Sequence, residues 1–80
     1  MAGMSRSFVL NRAFVADRWM NSQFGIPLAE ANEEQLRQFL RTVPASMRDH
    51  TWEALCAYGD DLIRKGQAQH NVARAVGMVR

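Results

Sequence analysis

The sequence lacks the residues that would cross-link it by disulfides or anchor it in a membrane. Its 80 residues include a single cysteine, Cys56, which excludes an intrachain disulfide. No apolar run approaches the ~18 residues of a membrane-spanning helix, and the short run at residues 8–10 ends before it forms a signal-peptide core. We therefore expect a cytoplasmic protein without a membrane span. Residues 1–16 contain arginine and no acid, so a mitochondrial presequence is the alternative.

Residues that carry catalytic or metal chemistry are also scarce. The two histidines are His50 and His70, and no serine or cysteine lies in a recognisable nucleophile motif. His50 lies beside Asp49 and Glu53, but the spacing does not match a metal motif such as His-Glu-x-x-His. We therefore expect no enzyme, no cofactor and no metal site, and we expect Cys56 to act as a small apolar residue.

What the chain does contain is enough apolar surface to fold and an uneven distribution of charge. Apolar residues make up 48% of the sequence, which is too many for a disordered chain. A core of this size supplies only about 3–5 kcal/mol, so small domains often gain stability by association. Both ends are basic, whereas residues 29–61 hold seven acids against three arginines.

The spacing of apolar residues predicts four helical segments. We therefore expect an all-α protein, a single-domain bundle of three or four helices over residues 1–80, with residues 1–6 flexible. The clearest segment is NEEQLRQFLRTVP, in which Asn32 and Gln35 form a capping box and Pro44 ends the helix. The preceding FGIPLAEA is predicted to be an extended connection.

The third and fourth segments are predicted from caps and breakers. We expect the third helix to begin near Ser46, acting as its N-cap, and to end before Gly66. Gly59 lies inside its apolar stripe at a cost of about 1 kcal/mol relative to alanine, which predicts close approach by another helix. The fourth segment, QAQHNVARAVGMVR, has one side of small apolar residues.

The first segment, SFVLNRAFVADRWMNSQF at residues 7–24, has more apolar residues than one helix face holds. Beside a main stripe, Phe8, Val15 and Trp19 form a second stripe whose exposure would cost about 25 cal/mol per Å². Either the helix is central and its own chain covers both stripes, or a second copy or another protein covers the second. A hairpin of short strands around residues 11–12 is a third alternative, although its turn lacks glycine.

From these features we predict a non-catalytic protein-binding module. It would be a small regulator or inhibitor, of a size and composition common among bacterial and phage accessory proteins, that docks on a larger protein. A homodimer is an alternative partner arrangement, and pairing of the acidic strip with the basic ends is an alternative role for its carboxylates. The predicted interface comprises an apolar anchor, its basic rim and an acidic strip: Phe8, Val15, Trp19, Arg12, Arg18, Asp49, Glu53 and Asp60.

The competing function is DNA binding. Residues 52–80 outline a helix-turn-helix-like regulator whose turn region supplies residue types that reach bases or phosphates. Asp60 and Asp61 precede the turn and would repel a nucleic-acid backbone, so we favour a protein partner over nucleic acid. A basic first helix lying on a membrane surface is a further alternative. The candidate DNA-reading residues are Gln67, Gln69, His70, Asn71 and Arg74.

Overall fold

The computed structural model describes residues 4–77, and within that range the chain forms four α-helices, one 3-10 turn and no β-strand. The all-α bundle predicted from apolar spacing is confirmed, and the hairpin alternative for the first segment is wrong. The elements in chain order are α1 (Arg6–Phe24), the 3-10 turn (Leu28–Glu30), α2 (Glu33–Thr42), α3 (Ala45–Arg64) and α4 (Val72–Val76).

Helix α1 has local signals at both ends. The Ser5 hydroxyl accepts a hydrogen bond from the Phe8 N–H at 3.1 Å, which satisfies one of the free donors of the first turn. The helix ends at Gly25, whose φ of 68° is the left-handed conformation that glycine adopts without strain. The ordered helix therefore begins at Arg6, inside the segment expected to be flexible, while residues 1–3 lie outside the described range.

Helix α2 has the predicted capping box and an additional cap at its other end. The side chains of Asn32 and Gln35 each accept from the other's backbone N–H, at 2.8 and 2.9 Å. At the carboxyl end, Arg48 of α3 donates to the carbonyl oxygens of Leu40 and Val43 at 2.8 and 2.9 Å. A cation at this end also opposes the negative end of the helix dipole, so Arg48 joins α3 to α2.

Two predicted features of the later helices are wrong. Helix α3 starts at Ala45 directly after Pro44, so Ser46 lies in the first turn and caps nothing. Pro44 lacks an N–H and its φ of −53° leads into a helix without a side-chain cap. Helix α4 covers only Val72–Val76 of the predicted segment, because Asn71 is its N-cap; residues 78–80 of that segment lie outside the described range.

The core is built around α1. This helix packs against α2, α3 and the 3-10 turn, whereas α4 packs against α2 and α3. Ile26 and Leu28 pack against the core, and the connection predicted to be extended contains the 3-10 turn. Trp52 fastens α4 to α3 by donating its indole N–H to the carbonyl oxygen of Ala73 at 2.8 Å. The largest core side chains are Met20, Leu36, Phe39, Leu40 and Leu55.

Candidate protein-interaction surface

The predicted apolar anchor on α1 is largely occupied within its own chain. The Trp19 ring lies 5.6 Å from the rings of both Phe24 and Phe39, and Val15 also packs against the core. Phe8 is half-buried. Of the two explanations for the second stripe, the structure favours the central helix, since α1 meets α2 on one side and α3 on another.

A different apolar pair on α1 is exposed. Leu10 is 49% exposed and Phe14 is 58% exposed, and the two lie one helical turn apart on the same side. The guanidinium carbon of Arg18 lies 5.7 Å from the centre of the Phe14 ring, a cation–π contact. Arg18 therefore lies beside Leu10 and Phe14, which are not the residues of the predicted anchor.

Leu10 also lines a groove of about 220 Å³ between α1 and α3. In this groove, residues near the start of α1 lie beside residues near the end of α3. The lining residues near the start of α1 are apolar or basic, whereas those on α3 include the ion pair of Asp61 and Arg64. Its lining residues are Met4, Arg6, Val9, Leu10, Ala57, Tyr58, Asp61 and Arg64.

The acidic strip predicted on α3 divides into a paired and an unpaired part. Asp60 accepts from Arg74 at 2.6 and 3.1 Å and from the Asn71 amide at 2.8 Å. The hydrogen bonds from Arg74 and then from Asn71 lower the pKa of Asp60 to about 2. Asp60 thus pairs with the basic carboxyl-terminal end, whereas Asp49 and Glu53 are exposed and form no ion pair with another described residue.

On α1, by contrast, the charged side chains without an ion-pair partner among the described residues are basic. Arg12 donates to the side-chain oxygen of Asn11 at 3.0 and 3.2 Å, and neither Arg12 nor Arg18 forms an ion pair within residues 4–77. The one acid of the helix, Asp17, accepts from the backbone N–H of Leu28 at 2.8 Å. The outer surface of α1 is therefore positive, with no carboxylate of its own left to neutralise it.

The residues proposed to read DNA are partly engaged elsewhere. Arg74 binds Asp60, and Asn71 donates to the carbonyl oxygen of Cys56 at 2.8 Å and caps α4. Helix α4 has five residues and is therefore about 7.5 Å long, short for a helix lying in a major groove. Gln67, Gln69 and His70 precede it in non-helical chain.

Ligand and nucleophile chemistry finds little support among residues 4–77. A cleft between the 3-10 turn, α3 and the start of α4 has a volume of about 50 Å³, against roughly 300–1,000 Å³ for small-molecule sites. Burial raises the pKa of the Cys56 thiol to about 11, so the thiol stays protonated near neutral pH. No cluster of three or more His, Cys, Asp or Glu side chains with the geometry of a metal site occurs in this part of the chain.

Comparison with protein-family models, with curated proteins and with solved structures finds no match to this chain. None of the helices within residues 4–77 is both long enough and apolar enough to cross a membrane. The features of this chain that bear on function are the exposed residues of α1 and α3 and their charges.

Proposed function

We propose that this protein is a non-catalytic protein-binding module, a small regulator or inhibitor that docks on a larger protein through one face of α1. The contact face consists of Leu10, Phe14 and Arg18, which we call the α1 face. The observation that carries the proposal is the 58% exposure of Phe14 on a well-formed helix. We also propose a cytoplasmic location, because the sequence has no pair of cysteines whose disulfide would indicate an oxidising compartment.

The chemistry of the α1 face suits a protein contact. Aromatic and arginine side chains are enriched among residues that dominate binding energy at interfaces. Covering the exposed part of Phe14 removes apolar surface from water at about 25 cal/mol per Å². The stacked Arg18 keeps the ring covered on one side in the free protein and can turn toward a partner's carboxylate in the complex.

Affinity capture with two charge-matched variants tests this proposal. Phe14→Glu places a charge in the contact face, whereas Gln38→Glu adds the same charge at an exposed position of α2. We expect the tagged wild type and Gln38→Glu to recover the same protein from a nuclease-treated lysate, and Phe14→Glu to lose it. Far-ultraviolet circular dichroism checks that both variants remain helical.

Equal recovery by all three proteins would contradict the role of Phe14. Nuclease treatment separates protein from nucleic-acid partners: if recovery disappears with digestion and the chain binds duplex DNA with a steep salt dependence, DNA binding replaces the proposal. Binding of all three proteins to anionic vesicles in place of a protein would likewise replace it with the membrane-surface function.

A further inference from the structure

Four exposed side chains of α1 form a row that has a cation at each end and two apolar residues between the cations. The residues follow one another at intervals of four positions, so they lie on one side of the helix. At a rise of about 1.5 Å per residue, the row spans roughly 18 Å. We call this extension of the α1 face the α1 row, and its members are Arg6, Leu10, Phe14 and Arg18.

The two cations of the α1 row are not neutralised within residues 4–77. Neither Arg6 nor Arg18 forms an ion pair with another residue of that range. Asp17, the acid of α1, is engaged with the backbone, since it accepts from the N–H of Leu28 at 2.8 Å. The guanidinium of Arg18 instead lies over the ring of Phe14. The row therefore lacks carboxylates at both of its ends.

The groove between α1 and α3 lies at the amino-terminal end of the row. Arg6 and Leu10 form part of its lining, and its volume is about 220 Å³. The acid that lines this groove, Asp61, already pairs with Arg64 and, at 2.9 Å, with Lys65. Cations therefore outnumber carboxylates at this end of the row, and the groove offers space for an apolar side chain beside Leu10.

We propose that the α1 row binds an acidic segment of another protein, in which two carboxylates flank an apolar centre. The apolar centre covers Leu10 and Phe14 and places a side chain in the groove. One carboxylate pairs with each terminal arginine, because a planar guanidinium binds a carboxylate through two parallel hydrogen bonds. The inference rests on the proposed function, since it names the chemistry of the partner that the α1 face binds.

The order of charge along the row favours an acidic protein over other occupants. The row reads basic, apolar, apolar, basic from either end, so packing α1 of a second copy against it would set arginine against arginine in both directions. Nucleic-acid sites neutralise about 6–10 phosphates, and basic membrane anchors carry clusters of about 4–8 cations. Two cations that are separated by an apolar pair match a protein segment with the complementary order of charge.

Binding to three synthetic helical peptides tests the charge of the partner. Each peptide has two leucines four positions apart, and the positions four residues outside this pair are both glutamate, both glutamine or both lysine. Titration of each labelled peptide with the full chain, followed by fluorescence anisotropy, measures the affinity. We expect wild type to bind the glutamate peptide at least about tenfold more tightly than the lysine peptide, with the glutamine peptide between them. Added salt should weaken the complex with the glutamate peptide.

Charge reversal in the protein gives the decisive comparison. The double variant Arg6→Glu with Arg18→Glu should invert the order, so that the lysine peptide binds more tightly than the glutamate peptide. The milder Arg6→Gln with Arg18→Gln should remove the preference, which keeps the test readable if the reversed chain loses helicity in circular dichroism. Gln38→Glu, on the exposed side of α2, should keep the wild-type order, and Phe14→Glu should weaken binding of all three peptides.

The acidic partner and the proposed function fail separately. Equal affinity of wild type for the three peptides, or an absence of binding that depends on Phe14, overturns the acidic partner. A Phe14-dependent protein in the capture experiment then still supports the module. Phe14-dependent flotation with vesicles of phosphatidylcholine and phosphatidylserine would overturn the inference in favour of a membrane surface. A wild-type dimer in sedimentation equilibrium that Phe14→Glu dissociates would overturn it in favour of a second copy.

Discussion

Alanine at Gly59 should destabilise the protein although it is the better helix former. A Cβ added at Gly59 would lie 2.7 Å from Cγ and 2.9 Å from Nδ2 of Asn71, closer than such atoms pack. Three hydrogen bonds hold the Asn71 side chain there: it donates to the Cys56 carbonyl and to Asp60, and it accepts from the Arg74 N–H. The added methyl group must therefore displace Asn71 and break these bonds.

Helix propensity and the loss of hydrogen bonds change the free energy of unfolding in opposite directions. Replacing an interior helix glycine by alanine stabilises a helix by about 1 kcal/mol. Each of the three hydrogen bonds of Asn71 contributes about 1 kcal/mol net, so their loss costs about 3 kcal/mol. We therefore expect Gly59→Ala to lower the free energy of unfolding by about 2 kcal/mol. Urea unfolding followed by circular dichroism and by tryptophan fluorescence measures it.

A double-mutant cycle isolates the cause. In an Asn71→Ala background the obstructing side chain is gone, so Gly59→Ala should now raise the free energy of unfolding by up to about 1 kcal/mol. The same substitution thus changes sign between the two backgrounds. An equal effect of Gly59→Ala in both backgrounds would refute the steric explanation and would show that Asn71 is free to move aside.

Two further predictions concern Thr51 and Asp60. The Thr51 hydroxyl is fully buried and has no hydrogen-bond partner among the described residues. Thr51→Val should therefore raise the free energy of unfolding, measured by urea denaturation, by about 1 kcal/mol. A decrease would mean that the hydroxyl has a partner. Hydrogen bonds, chiefly from Arg74, lower the pKa of Asp60 from 3.8 to about 2. The charge of Asp60 therefore stabilises the fold fully above pH 3.8, and this contribution is lost as the pH falls through 2. Acid unfolding of wild type should therefore be steeper between pH 4 and 2 than that of Asp60→Asn, and identical profiles would contradict the ion pair.

The helix ends that were predicted correctly depend on residues close together in the sequence. The capping box of α2 involves residues three positions apart, and Gly25 ends α1 through its own backbone conformation. The predicted Ser46 cap failed because Pro44 already ends one helix and begins the next. The predicted length of the last helix was wrong because Asn71 caps its start. The position of Asn71 in turn depends on its hydrogen bonds to Cys56 and Asp60 of α3.

The exposed face of α1 illustrates what helical periodicity leaves open. Periodicity shows which residues share a side of a helix, but it does not show which sides the neighbouring elements cover. Trp19 belongs to a predicted stripe that α2 reaches through Phe39, whereas Leu10 and Phe14 lie outside that stripe and stay exposed. Their spacing of four residues was the available signal. A predicted interface therefore requires the packing of the bundle as well as the apolar pattern.

The pattern of charge likewise leaves open which side chains meet. The sequence shows basic ends and an acidic centre, which indicates complementary charges but not which of them meet. Helix α4 returns to α3 beside Asp60, so Arg74 neutralises that carboxylate. Arg18 and Glu53 also belong to neighbouring helices, yet each projects from the outer surface without reaching the other. The topology brings Asp60 and Arg74 together, and their ion pair joins α4 to α3, whereas Arg18 and Glu53 keep their charges exposed.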